Sequence, residues 1–239
     1  MTATPDTLGG STMPLDDQIP MVDTAATLSH DDDANRRLRA FLTEPPSDAH
    51  ELSGKRFAVL STDGVEEIEI TGPLTYLRAR GATAHVIAPN ADDFPALGLR
   101  YPERRNNSII TIRFMENSGW LPIDRALSEA TVDDYDALII PGGAWNPDVL
   151  RNTPAAIEFV KAFEAAGKIV AAICHGPQVL VTAGLLNGRR ATGWWACHAD
   201  IENAGATFQD TEVVVDGRII TSRYPLDIPA FVDAVVAAV

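Results

Sequence analysis

Three short runs constrain this chain more than any other feature: Arg56-Phe-Ala-Val-Leu-Ser61, Ala137-Leu-Ile-Ile140 and Ile169-Val-Ala-Ala-Ile173. Each is apolar at nearly every position. Strands of that kind must be buried on both faces, a condition met inside a parallel sheet covered by helices. Helical patterns fall between them. One is expected between Glu66 and Arg80, stopping at Gly81, with Pro73 obscuring its start. Another runs from the Thr153-Pro154 pair, read as N-cap and first position, to Gly167, and packs through Ile157, Phe159, Val160 and Phe163. A last helix puts Ile228, Val232, Val235 and Val239 on one face. Thr83 to Ala88 reads as a strand, and Val213 to Ile220 as a hairpin about an Asp216-Gly217 turn. Repeated strand-then-helix units predict one α/β domain, with helices on both sides of a mostly parallel sheet.

Charge divides the chain of 239 residues unevenly. The net charge is −14. Residues 1–54 hold ten acids against three arginines, a net −7, together with five prolines. That composition predicts an acidic, partly disordered N-terminal extension outside the core, dispensable for chemistry, with a short helix allowed from Asp33 to Leu42. The domain proper is expected over 55–239. Within it, 90–131 is hard to read: Ser108 to Phe114 resembles a strand and the remainder loops or an insertion. The acidity disfavours nucleic acid and anionic lipid as partners. No apolar run approaches the roughly 20 residues of a membrane span, and the start lacks a secretory pattern, so a cytoplasmic protein is expected. Two cysteines, Cys174 and Cys197, and five histidines without a paired spacing predict no disulfide framework, no metal and no cofactor.

The chemistry centres on Ala172-Ile-Cys174-His-Gly176. Small residues flank a nucleophile where a strand ends and a helix begins, the pattern of a nucleophile elbow. A side chain held there meets backbone N–H groups and the helix dipole, which predicts a thiol more acidic than usual. The alternative is a small apolar residue closing a strand. Position favours function, because open α/β sheets bind ligands at the carboxyl ends of their strands.

Ala171-Ala-Ile-Cys-His-Gly-Pro-Gln178 closely resembles the signature of the ThiJ/PfpI superfamily, in its PfpI-like branch. Asp63-Gly-Val-Glu-Glu-Ile-Glu69, Leu138-Ile-Ile-Pro-Gly-Gly143, Pro147-Asp148, Asn203-Ala-Gly205 and the run Thr221 to Phe231 follow in family order. The resemblance covers about 55–239 apart from the middle stretch. It implies a flavodoxin-like three-layer sandwich and a cysteine-dependent enzyme acting on a small-molecule carbonyl or a peptide. It further implies Cys174 as nucleophile, His175 as base, and Glu69 as a protonated carboxyl beside the thiol. Gly143 and His175 would supply oxyanion-hole N–H groups. Asp148 would complete the set from a neighbouring subunit of a homodimer or larger homo-oligomer, or else cap a helix. Glu66 and Trp194 are candidate pocket residues, although Glu66 and Glu67 also read as solvated helix acids. Trp194-Trp195 and Cys197-His198 depart from the PfpI-like pattern.

Glyoxalase- or deglycase-like chemistry and peptidase chemistry share this apparatus. A non-catalytic redox sensor or stress chaperone, with Cys174 oxidised beside Glu69, is the alternative of another class. A glutamine amidotransferase needs a downstream His-x-Glu pair, which the chain lacks.

Overall fold

A computed structural model describes residues 33–89 and 107–239. Residues 1–32 of the extension expected over 1–54, and the part of the middle stretch at 90–106, lie outside the described residues. In chain order the elements are α1 (Asp33–Thr43), β1 (Arg56–Leu60), β2 (Val65–Glu66), α2 (Glu67–Ala79), β3 (Thr83–Ala88), β4 (Ser108–Arg113), β5 (Glu116–Pro122), β6 (Arg125–Ala126) and β7 (Ala137–Ile140). They continue as α3 (Trp145–Arg151), α4 (Pro154–Ala165), β8 (Ile169–Ile173), α5 (Pro177–Thr182), β9 (Arg190–Ala191), α6 (His198–Asn203), β10 (Thr207–Phe208), β11 (Val213–Asp216), β12 (Ile219–Ser222) and α7 (Ile228–Ala237).

The three apolar runs are β1, β7 and β8, adjacent and parallel at the centre of the main sheet, whose order is β11-β12-β8-β7-β1-β3-β6. Leaving aside the short edge strand β6 and the antiparallel edge strand β11, the parallel strands run in the spatial order 2-1-3-4-5, the flavodoxin-like arrangement. Alternate side chains feed two cores. Phe57, Val59, Ile139, Ala171 and Ile173 pack beneath α2 and α7, whereas Ala58, Leu60, Leu138, Ile140 and Ala172 pack beneath α4 and α5. The domain is therefore a three-layer α/β sandwich. Its strand order reverses between β1 and β7, the switch point at which such sheets form a crevice.

Several local expectations are refined. Pro73 lies inside α2, not at its start, and it has no N–H for the carbonyl of Glu69 four residues back. Thr153 does not cap α4 through its side chain, because its hydroxyl donates to the Val149 carbonyl in the preceding turn. The hairpin turn is Gly217-Arg218, one residue later than read, since Asp216 pairs with Ile219. Gly217 takes φ +63°, as the first central position of a type II′ turn requires. Val239 lies beyond α7, and Phe231 takes a place on its buried face. In the middle stretch, β4 and β5 form a hairpin that joins β2 in a second, three-stranded sheet.

The extension also differs from its description as lying outside the core. Leu38 of α1 is fully buried in the core beneath α2 and α7, Phe41 stacks on Tyr76 at 4.4 Å, and Leu52 is buried. Gly72 permits this approach, because a Cβ there would sit 3.2 Å from Leu42 Cδ2. Composition hid the packing, since one amphipathic turn is diluted by the surrounding acids and prolines. Leu38→Ala should lower the unfolding free energy by about 2–5 kcal/mol, measured by urea denaturation. An unchanged midpoint would place α1 outside the cooperative unit.

Candidate active site

The carboxyl ends of β1, β7 and β8 converge, and two turns carry the strain of the meeting. Cys174 has φ +61°, a left-handed conformation that costs a non-glycine residue on the order of 1–3 kcal/mol. Neighbouring backbone holds it there: Cys174 N–H donates to the Ser222 carbonyl, and the Cys174 carbonyl accepts from Trp194 N–H. Gly176 is required behind it, since a Cβ would lie 2.5 Å from the Ile140 carbonyl oxygen. On the facing turn a Cβ at Gly142 would lie 2.7 Å from Cys174 Cβ and 2.7 Å from Glu69 Oε2. The Pro141-Gly142-Gly143 turn can thus pass directly over the thiol.

Asn146, a residue with no sequence signal, locks this turn to the end of β1. Its buried amide donates to the Pro141 carbonyl, and its oxygen accepts from Thr62 N–H and from the Ser61 hydroxyl. On the other side Asp63 accepts from Ile110 N–H, tying the β1 loop to the hairpin of β4 and β5.

Cys174, His175, Glu69, Gly143, Glu66 and Trp194 line one cleft of about 90 Å³. Phe114, Ala144 and Pro225 complete it, and none of these was singled out from sequence. Glu69 is fully buried in the first turn of α2. Its Oε2 accepts from Gly142 N–H at 2.8 Å, while Oε1 has no well-formed hydrogen bond. Burial, with the charge of Glu66, pushes its carboxyl up to about 8, which keeps it protonated at neutral pH. Glu66 is raised to about 6, chiefly by burial, with Phe114 N–H donating to it as a counterweight. Glu67 is buried and paired with both Nε and Nη2 of Arg113. Neither Glu66 nor Glu67 is a solvated helix acid, because the β4 and β5 hairpin folds over both.

The expected acidification of Cys174 is reversed by its surroundings. Burial pushes the thiol well up, a charged Glu69 pushes it further, and the N–H groups of Gly143 and His175 pull it back. The following helix α5 spans only six residues and does not outweigh burial. Cys174 and Glu69 therefore titrate as a pair in which a proton on Glu69 removes the main charge opposing a thiolate. His175 Nδ1 lies 3.3 Å from Cys174 Sγ, so these adjacent side chains do reach one another. Burial lowers the imidazole pKa, with Asp148 acting in the opposite direction. The ring stacks on Trp194 with centroids 5.6 Å apart. Asp148 is exposed in the first turn of α3 and does not line the cleft; its charge alone reaches His175. Cys197 is fully buried, and burial raises its thiol to about 12. No group of ligands suited to a metal ion occurs among the described residues, and none of their helices is long and apolar enough to cross a membrane.

The Glu69 carboxyl has a measurable signature. It holds its proton more tightly folded, at about 8, than in an exposed carboxyl at 4.5, so the folded state loses relative stability as pH rises through that window. Glu69→Gln removes the titration. Between pH 5 and pH 9 the variant should gain on the wild type by on the order of a few kcal/mol in urea denaturation. A pH-independent difference would mean that Glu69 is already ionised at pH 5.

Known proteins place this geometry in context. The sequence profile described as the DJ-1/PfpI family matches residues 55–238. YraA of Bacillus subtilis, named as a candidate cysteine protease, is 40% identical over 177 residues, covering 74% of this chain and 94% of that one. Protein/nucleic acid deglycase 2 of Escherichia coli is 37% identical over 178 residues, covering 74% and 93%. A solved two-domain protein of Anabaena variabilis, with DJ-1/ThiJ/PfpI-like and ferritin-like domains, superposes with a TM-score of 0.65 at 36% identity. That match covers 77% of this chain and 47% of the two-domain chain. With a family match over residues 55–238, most of its length, the chain belongs to the DJ-1/PfpI family.

Proposed function

We propose that the protein is a cysteine-dependent enzyme that acts on small reactive carbonyls, in the manner of a glyoxalase or deglycase, through Cys174. One observation carries the reading: a strained cysteine faces the N–H groups of Gly143 and His175 from above a buried carboxyl that stays protonated. The names of relatives support it, since they include both deglycases and a cysteine protease. A cleft of about 90 Å³ suits a small carbonyl better than an extended peptide.

For an α-oxoaldehyde the steps balance as follows. The thiol proton passes to His175, and Sγ adds to the aldehyde carbon to give a hemithioacetal. The resulting oxyanion accepts from Gly143 and His175 N–H groups, which need no reorganisation to meet it. Removal of the proton on the former aldehyde carbon, and its return to the adjacent carbon, oxidises the first and reduces the second to leave a thioester. Water hydrolyses the thioester, releasing a 2-hydroxy acid and restoring the thiol. A neutral Glu69 donates to the thiolate throughout instead of repelling it. In a deglycase-like reaction Sγ would instead bond to the adduct carbon as that carbon's bond to the amine or thiol breaks, the leaving group departing with the proton taken up by His175.

Residues 55–239 form the catalytic unit in this reading, and 33–54 brace it. Asp148 acts from the surface. In an assembly that brings a second copy onto this face, its carboxylate would orient the partner's imidazole. Mixed oligomers of Cys174→Ala and Asp148→Ala chains would then recover activity that neither homo-oligomer shows; no recovery after proven mixing removes Asp148 from the site. The central test is methylglyoxal turnover. Cys174→Ala should lose more than about 1,000-fold in kcat, as removal of a nucleophile does. Turnover within tenfold of the wild type would end the nucleophile reading.

A further inference from the structure

A base that serves a nucleophile is held in place by a third group, most often a carboxylate on the ring nitrogen that faces away. His175 is held differently. Its Nδ1 lies 3.3 Å from Cys174 Sγ, and among the described residues no carboxylate pairs with the ring. Asp148 reaches it only by charge, from the exposed start of α3. What does touch the imidazole is the indole of Trp194, stacked with centroids 5.6 Å apart and 26° between the planes. That separation is within range of both an aromatic stack and a cation–π attraction.

The indole is itself anchored to the cysteine turn. Trp194 N–H donates to the Cys174 carbonyl at 2.8 Å, and the Trp194 carbonyl accepts from Cys197 N–H at 2.7 Å. Gly193 permits the approach, since a Cβ there would lie 3.2 Å from the Cys174 carbonyl oxygen and 3.1 Å from Ile201 Cδ1. The indole also meets the Trp195 ring at 5.8 Å. One residue thus holds the backbone of Cys174 and the side chain of its neighbour. Neither contact depends on a second subunit.

We propose that Trp194 is the positioning residue of His175: its indole fixes the imidazole with Nδ1 toward Sγ and stabilises the imidazolium formed when the ring takes the thiol proton. The inference rests on Cys174 acting as nucleophile with His175 as its base. The neutral ring then carries its hydrogen on Nε2. The proton leaves Sγ for Nδ1, the electron pair of the S–H bond stays on sulfur, and positive charge appears on a ring that faces the indole. Burial opposes that charge, and the electron-rich indole face favours it. The other titratable groups around the ring are Cys174 on its own turn, Glu66 and Glu69 in the cleft, and Asp148 on α3. A carboxylate brought by an assembly would act on a ring already held.

Two measurements test this without turnover. In the first, the His175 Cε1–H resonance, assigned by its loss in His175→Gln, is titrated by NMR. Trp194→Leu should lower the His175 pKa, and Trp194→Phe should lower it less, because a phenyl face attracts a cation less than an indole does. A leucine that merely admitted water would raise the pKa, so a raised or unchanged value overturns the assignment. If Trp194→Leu does not fold, growth on 5-fluorotryptophan makes the same test, since fluorine drains the ring face and keeps its shape; the pKa should fall, and constancy overturns the assignment. In the second, alkylation of Cys174 by iodoacetamide at neutral pH is followed on the Cys174 peptide by mass spectrometry. Trp194→Leu should slow it about 2- to 10-fold, the worth of one aromatic contact, and should have no effect in a His175→Gln background. Equal slowing in both backgrounds, or none in either, overturns the assignment. Methylglyoxal is scored apart: a chain that shows this coupling and leaves methylglyoxal untouched keeps Trp194 in its role and loses the carbonyl reading.

Discussion

The hydrogen bond from Gly142 N–H to Glu69 Oε2 joins the end of β7 to the first turn of α2, and the Cys174 turn is built around it. It sets the distance between the glycine turn and the cysteine turn, since any side chain at Gly142 would strike both Cys174 and Glu69. It also places a carboxyl where water cannot solvate its charge. A charged carboxylate in that position would oppose a thiolate on Cys174, whereas a protonated one would not. The pKa of about 8 is thus a consequence of packing that the fold imposes before any substrate arrives.

The supports around this contact are arranged in layers. Strands β1, β7 and β8 fix where their carboxyl ends lie, and the Cys174 backbone is held on both sides by Ser222 and Trp194. The hairpin of β4 and β5 then closes over Glu67 of α2 through Arg113 and over Glu66 of β2 through the Phe114 N–H. Helix α1 braces α2 from outside through Leu38 and Phe41. Strain at one φ angle is tolerable because several independent contacts over-determine it.

Much of this was legible in the residues, and the unread parts have physical reasons. Strands buried on both faces announce themselves, so β1, β7 and β8 were plain. The Cys174 turn was visible because small residues must flank a side chain forced into a left-handed turn. Strand β5, Glu116-Asn-Ser-Gly-Trp-Leu-Pro122, was not, since it is half-exposed, polar and broken by glycine and proline. The direction of the Cys174 pKa was misread because a helix start is visible in sequence, whereas burial and a carboxyl brought from 105 positions away are tertiary facts. The apolar turn of α1 was masked by acids, and Asn146 by having no pattern at all.

The identity of the residue after Asn146 now acquires a meaning. Asparagine side chains age by cyclising: the backbone nitrogen of the next residue attacks the amide carbon, ammonia leaves, and hydrolysis yields aspartate or isoaspartate. Here that conversion would replace the donor facing the Pro141 carbonyl with a carboxylate oxygen, setting two acceptors against each other beneath the reactive turn. The next residue is Pro147, whose ring nitrogen carries no hydrogen and cannot close the imide. The clasp that holds the Pro141-Gly142-Gly143 turn is thereby shielded from the commonest spontaneous chemistry of its own side chain, and the site's durability is written into one dipeptide.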